Sequence, residues 1–142
     1  MNPTMRKFGW PRSVVHEGDH WVVLARPGQP TLGSLVLAAK SDAVAFSDLP
    51  PEAHADLANA SAAIERALRR AVAYEQINYL MLMMVDKEVH FHVIPRYAGD
   101  RTWGGHSFAD AGWPKVPDLG SAVSLDEGEL DALTAWLKAF FA

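Results

Sequence analysis

Polar and apolar residues alternate without a break through Glu88-Val89-His90-Phe91-His92-Val93, and Ile94-Pro95-Arg96 follow. On an extended strand successive side chains leave opposite faces, so Glu88, His90 and His92 share one side while Val89, Phe91 and Val93 share the other. The apolar side demands a packed layer, which makes this segment part of a sheet with helices behind it. Two imidazoles beside a carboxylate are costly to bury without partners. The polar side is therefore expected to face a ligand.

The rest of the chain supplies matching elements. Residues 13–16 and 20–24 are short β-prone runs separated by Glu17-Gly18-Asp19, the pattern of a hairpin. Arg26-Pro27-Gly28-Gln29-Pro30 punctuates, and Thr31-Leu32-Gly33-Ser34 feeds an apolar strand over Leu35–Ala39. From Pro51 to about Tyr74 the period becomes helical. Leu57, Ala60, Ile64, Leu68, Ala71 and Val72 fall on one stripe, and Glu65, Arg66, Arg69 and Arg70 lie largely off it as a solvated face. Residues 76–85 predict a long strand, Asp86-Lys87 a turn, and 88–94 a final strand that Pro95 ends for want of an N–H.

Residues 98–120, rich in Gly, Trp and Pro, predict an irregular segment, and Ser124 with Glu127 a capping box opening a helix over 124–141. The expected fold class is α+β: an antiparallel sheet of about five strands, the long helix on one face, and the C-terminal helix closing an edge or end.

Composition removes several function classes. A length of 142 residues suits a single domain spanning 1–142. Cysteine is absent, which excludes thiolate nucleophiles, disulfides and thiolate metal sites and favours a cytoplasmic setting. No signal-like stretch opens the chain, and its longest apolar run, 80–85, is too short for a membrane span. A formal net charge of −4 opposes non-specific nucleic-acid binding, which needs a broad basic surface. An anionic ligand would have to be held locally.

His90-Phe91-His92-Val93-Ile94-Pro95-Arg96, with Ala98-Gly99-Asp100 after it, resembles the His-φ-His-φ-His-φ-φ signature of the histidine triad family, in particular its fragile-histidine-triad branch of dinucleoside polyphosphate hydrolases. Residues 29–37 resemble that family's proline-containing turn into a strand, and the likeness extends over about 8–100. Two positions depart from it: Glu88 stands at the first triad position, and Ser34 where a further histidine is usual. The family's Gln-Ser/Thr-Val stretch before the triad also has no counterpart.

The resemblance implies a homodimer, a nucleotide or dinucleotide ligand, and a hydrolase or nucleotidyltransferase acting at an α-phosphate. Carried over, the nucleophile is His90, and His92 donates to the phosphoryl oxygens; Ser34, Arg96 and Arg101 are candidate phosphate ligands, and Glu88 is expected to fix an imidazole tautomer from behind. A neutral imidazole is available near neutral pH, its unperturbed pKa being about 6.5, so no cofactor is called for. Two alternatives stand beside this reading: a nucleotide-binding protein with little or no catalysis, and zinc held by Glu88, His90 and His92. Met81, Met83 and Met84 are expected to fill core, His16, His20 and His54 to be structural or solvent-facing, His106 to be an exposed loop histidine or to reach the site from the tail, and Trp103 and Trp113 to stack on a base or clip their loop.

Overall fold

The computed structural model describes residues 1–142. Its elements in order are α1 (Pro3–Lys7), β1 (Val14–Glu17), β2 (Trp21–Ala25), β3 (Gly28–Gln29), β4 (Leu35–Ala39), a 3-10 turn (Phe46–Asp48), α2 (Pro51–Val72), β5 (Gln76–Leu80), β6 (His90–Arg96), β7 (Arg101–Trp103), β8 (His106–Phe108), β9 (Val123–Ser124) and α3 (Glu127–Ala139). Five strands form an antiparallel sheet in the order β1-β2-β4-β6-β5, and β3 pairs β9 and β7 pairs β8 beside it. This is the expected α+β class. No helix is long and apolar enough to cross a membrane.

The register sorts the side chains into two faces. Leu37 stands opposite Phe91 and Leu35 opposite Val93, while Val36 stands opposite His92 and Ala38 opposite His90. On the first face Trp21, Val23, Leu35, Leu37 and Val93 pack with Ile64 and Leu68 of α2 and with Leu133 and Leu137 of α3. Trp21 donates its indole N–H to the Ala53 carbonyl at 2.7 Å, tying sheet to helix. On the second face Val22, Leu24, Val36 and Ala38 pack with Met5 of α1 and with Phe8. Both faces are thus covered, which is why β2 and β4 are buried at every position and read as unbroken apolar runs instead of alternating ones.

Several boundaries differ from the sequence expectation. The short helix α1 was not foreseen, although Asn2 accepts from the Met5 N–H and Pro3 opens the first turn. Strand β5 stops at Leu80, and residues 81–89 form an irregular loop before β6 begins at His90. Pro95 does not end pairing: it sits opposite Ile77 within β6. Its carbonyl accepts from Thr31 Oγ1 at 2.7 Å, on the side where β4 has already ended, so its missing N–H costs no ladder bond.

Residues 98–120 contain the hairpin β7–β8, turned by Gly104 and Gly105, both at positive φ (59° and 78°). Ser124 belongs to β9, opposite Gly28, so the capping box moves two residues on: the Asp126 side chain accepts from the Glu129 N–H, and the Glu129 carboxylate accepts from the Asp126 N–H. Met84 is 80% exposed and fills no core, unlike Met81 and Met83, which pack against it.

Candidate functional site

His90 and His92 project from the second face of β6, beyond the strip covered by α1. They line a cavity of about 400 Å³ together with Lys7 and Phe8, Arg26 at the end of β2, the loop 82–86, and Leu119. The face is roofed instead of open. Only 2% of His90 and 8% of His92 is exposed, and the Phe8 ring lies 5.9 Å and 5.5 Å from the two imidazole centroids, edge-on to His92. Lys7 pairs with Asp86 at 2.9 Å, and Thr4 donates to Glu88 Oε1 at 2.7 Å, so α1 is fastened to the far wall of the same cavity.

Each imidazole has a partner that can play only one hydrogen-bonding role. His90 Nδ1 lies 2.7 Å from the Glu88 backbone carbonyl, which can only accept, so Nδ1 carries a proton and the neutral ring has its lone pair on Nε2. His92 Nδ1 lies 3.3 Å from Arg26 Nε, whose N–H can only donate, so here Nδ1 is the acceptor and Nε2 carries the proton. The two rings, 5.2 Å apart and nearly perpendicular, are therefore held in opposite tautomers: one offers a nucleophilic lone pair and the other a donor. Burial, then the Arg26 charge and then His90 lower the pKa of His92 to about 4, with Asp86 opposing and Lys7 adding to the shift. His92 is neutral near pH 7.

Glu88 is the expected residue acting through an unexpected atom. It precedes the first β6 residue, so the strand alternation does not reach it; its carboxylate turns to Thr4 and only its main-chain oxygen meets an imidazole. No group of three or more His, Cys, Asp or Glu side chains is arranged to hold a metal ion, and the Glu88-His90-His92 zinc array does not assemble.

The three candidate phosphate ligands lie outside the cavity, and their donors are engaged elsewhere. Ser34 is fully buried, its hydroxyl donating to the Thr31 carbonyl at 2.8 Å. Arg96 makes a bidentate pair with Asp110 (2.6 and 3.1 Å) and donates to Asn78 Oδ1 and the Lys115 carbonyl, both at 2.8 Å, so it anchors the segment after β8. Arg101 donates to the Val72 and Ala73 carbonyls and caps the end of α2.

Arg26, like Lys7 and Phe8, is a cavity residue that the sequence reading missed. Its signal was weak, because it opens a Pro-Gly stretch that reads as punctuation. That stretch is firmly built: the Gln29 side chain donates to the Arg26 and Ser34 carbonyls (2.7 and 2.8 Å) and accepts from the Gly33 and Ser34 N–H groups (2.9 and 3.1 Å). Of the other candidates, His106 pairs with Glu129, Trp103 packs at a tilt against Trp136 (ring centroids 6.0 Å apart) as a clip between β7 and α3, and Trp113 lines a second cavity. That second cavity is larger, about 840 Å³ between β5 and residues 113–117, but holds no histidine; the paired imidazoles favour the smaller one.

No family model matches the sequence, and no curated protein does. Solved structures do match. A histidine triad protein from Bradyrhizobium japonicum superposes with a TM-score of 0.70 at 19% identity, over 100% of this chain and 97% of that one. A zinc-bound histidine triad family protein from Mycobacterium smegmatis gives 0.62 at 20% identity, over 92% and 84%. A hypothetical histidine triad nucleotide-binding protein from Sulfolobus tokodaii gives 0.65 at 16% identity, over 91% and 83%. The chain folds as histidine triad proteins do.

Proposed function

We propose that this chain is a histidine triad protein of the fragile-histidine-triad branch that binds a nucleotide or dinucleoside polyphosphate and acts as a hydrolase or nucleotidyltransferase at its α-phosphate. The observation that carries the reading is the opposed pair of tautomers in one cavity. The His90 Nε2 lone pair attacks the α-phosphorus, the bond to the leaving-group oxygen breaks, and a nucleotidyl-histidine forms. Water, or an acceptor hydroxyl in a transferase, then displaces Nε2 in a second in-line step. The Glu88 carbonyl stabilises the cationic ring that forms in between, since Nδ1–H donates to it more strongly once the ring is charged. His92 Nε2–H and the Lys7 cation meet the phosphoryl charge.

The expected nucleotide agrees with the name of the Sulfolobus neighbour, a nucleotide-binding protein. The cytoplasm is the proposed setting. A homodimer is proposed as well, joined through β5, which stands at the edge of the sheet with one row of main-chain groups unpaired.

His90→Asn is expected to abolish turnover of a nucleoside phosphoramidate or dinucleoside polyphosphate, and with it any acid-labile nucleotidyl-protein, while calorimetry still registers nucleotide binding. Full activity in that variant removes the nucleophile from the scheme. A second reading, a nucleotide-binding protein without efficient catalysis, draws on the Phe8 roof and on Glu88 at the first triad position. It predicts saturable binding and no product from the unaltered protein over long incubation.

A further inference from the structure

Arg26 has three kinds of partner, and together they give it a task. Its backbone is fixed by the Gln29 side chain through the Arg26 carbonyl and by its own N–H donating to the Ser34 carbonyl at 3.1 Å. Its Nη1 donates to the Gly28 carbonyl at 2.6 Å, which fixes the plane of the guanidinium. Its Nε then meets His92 Nδ1. A side chain clamped at both ends and aimed at one ring nitrogen is built to orient that ring. Nothing else replaces it: the other charged or titratable groups around His92 are His90 on the same strand, Asp86 in the loop before it and Lys7 of α1, and none of them is hydrogen-bonded to His92.

We infer that Arg26 is a positioning residue that holds His92 in the Nε2–H form, so that the ring presents a donor to the phosphoryl group while His90 presents its lone pair. Without Arg26, His92 would exchange between tautomers, and in the Nδ1–H form it would set a lone pair against anionic oxygens. Arginine suits the post better than lysine because its planar fork can hold the Gly28 carbonyl and the ring nitrogen at once. The inference rests on the nucleotide reading for its purpose but not for its test.

The test is made on the ligand-free full chain, ¹⁵N-labelled at histidine, by two-bond ¹H–¹⁵N correlation spectra across a pH series. The unaltered protein is expected to show His92 as a single Nε2–H tautomer. Arg26→Ala should give averaged nitrogen shifts for His92 and raise its titration midpoint by about one pH unit. Arg26→Lys should keep the midpoint low through its charge yet still lose the single tautomer. If His92 keeps one Nε2–H tautomer in Arg26→Ala, the inference is overturned. In turnover assays Arg26→Ala should lower kcat about tenfold to a hundredfold with KM nearly unchanged. A fall in kcat with the His92 tautomer intact also overturns it. Failure of nucleotide turnover in the unaltered protein would count against the proposed function alone, since the spectra are read without nucleotide.

Discussion

The two histidines illustrate how far chemistry is set by single partners. A carbonyl beneath one ring and a guanidinium beside the other give identical side chains opposite roles at the same pH. A consequence for stability follows from His92. Its pKa is about 4 in the folded chain against an ordinary 6.5, so between those values the unfolded chain binds the proton more readily. Stability is therefore expected to fall as pH drops from 6.5 to 4, by roughly 2–3 kcal/mol from this residue. Thermal unfolding of the unaltered protein and of His92→Asn at pH 7 and pH 4.5 checks this, since the variant should lose that part of the slope. The pair itself was legible because strand alternation is a local property of six residues. Arg26 was not, because its meaning lies in a hydrogen bond to a residue far along the chain, and no local pattern announces such a bond. Ser34, Arg96 and Arg101 differ for the converse reason: residue type suggested phosphate, while protein carbonyls and Asp110 occupy their donors outside the histidine cavity.

Among the elements, those with strong periodicity or a turn signal were legible and those defined by tertiary pairing were not. The long helix and the central strands follow from the stripe through Ile64 and Leu68 and from unbroken apolar runs. Strand β9 exists only because Ser124 and Val123 find Gly28 and Gln29, and that pairing displaced the capping box to Asp126. The connection between β3 and β4 makes a definite demand on one residue. Gly33 has φ +92°, and a Cβ there would lie 3.2 Å from Leu68 Cδ2. Gly33→Ala therefore combines backbone strain with a crowded helix contact and is expected to cost about 1–3 kcal/mol. Chemical denaturation measures it; a loss below about 0.5 kcal/mol would mean the connection relaxes freely.

For the molecule as a whole, coverage of the sheet is the dominant fact. Helices α2 and α3 bury one face, α1 buries part of the other, and Arg96 binds the segment after β8 over the remainder through Asp110, a pair in which both side chains are almost wholly buried. The edge strand β5 is left, with Leu82, Met84 and Val85 exposed in the loop beyond it. A dimer through this edge would pair the free main-chain groups and shelter the apolar loop. Sedimentation equilibrium is expected to give twice the monomer mass of 15.6 kDa. Ile77→Pro, which places a second proline in β5's pairing row, should shift the population toward monomer; a monomeric unaltered protein at micromolar concentration would refute the dimer.

The Phe8 ring gives the cavity a built-in magnetic gauge. Lying edge-on to His92 and tilted against His90, its circulating π electrons displace the resonances of the carbon-bound imidazole protons from their free positions. A guest that displaces the phenyl group on reaching those rings would shift these resonances, so its arrival could be followed without a dye, a label or a reaction.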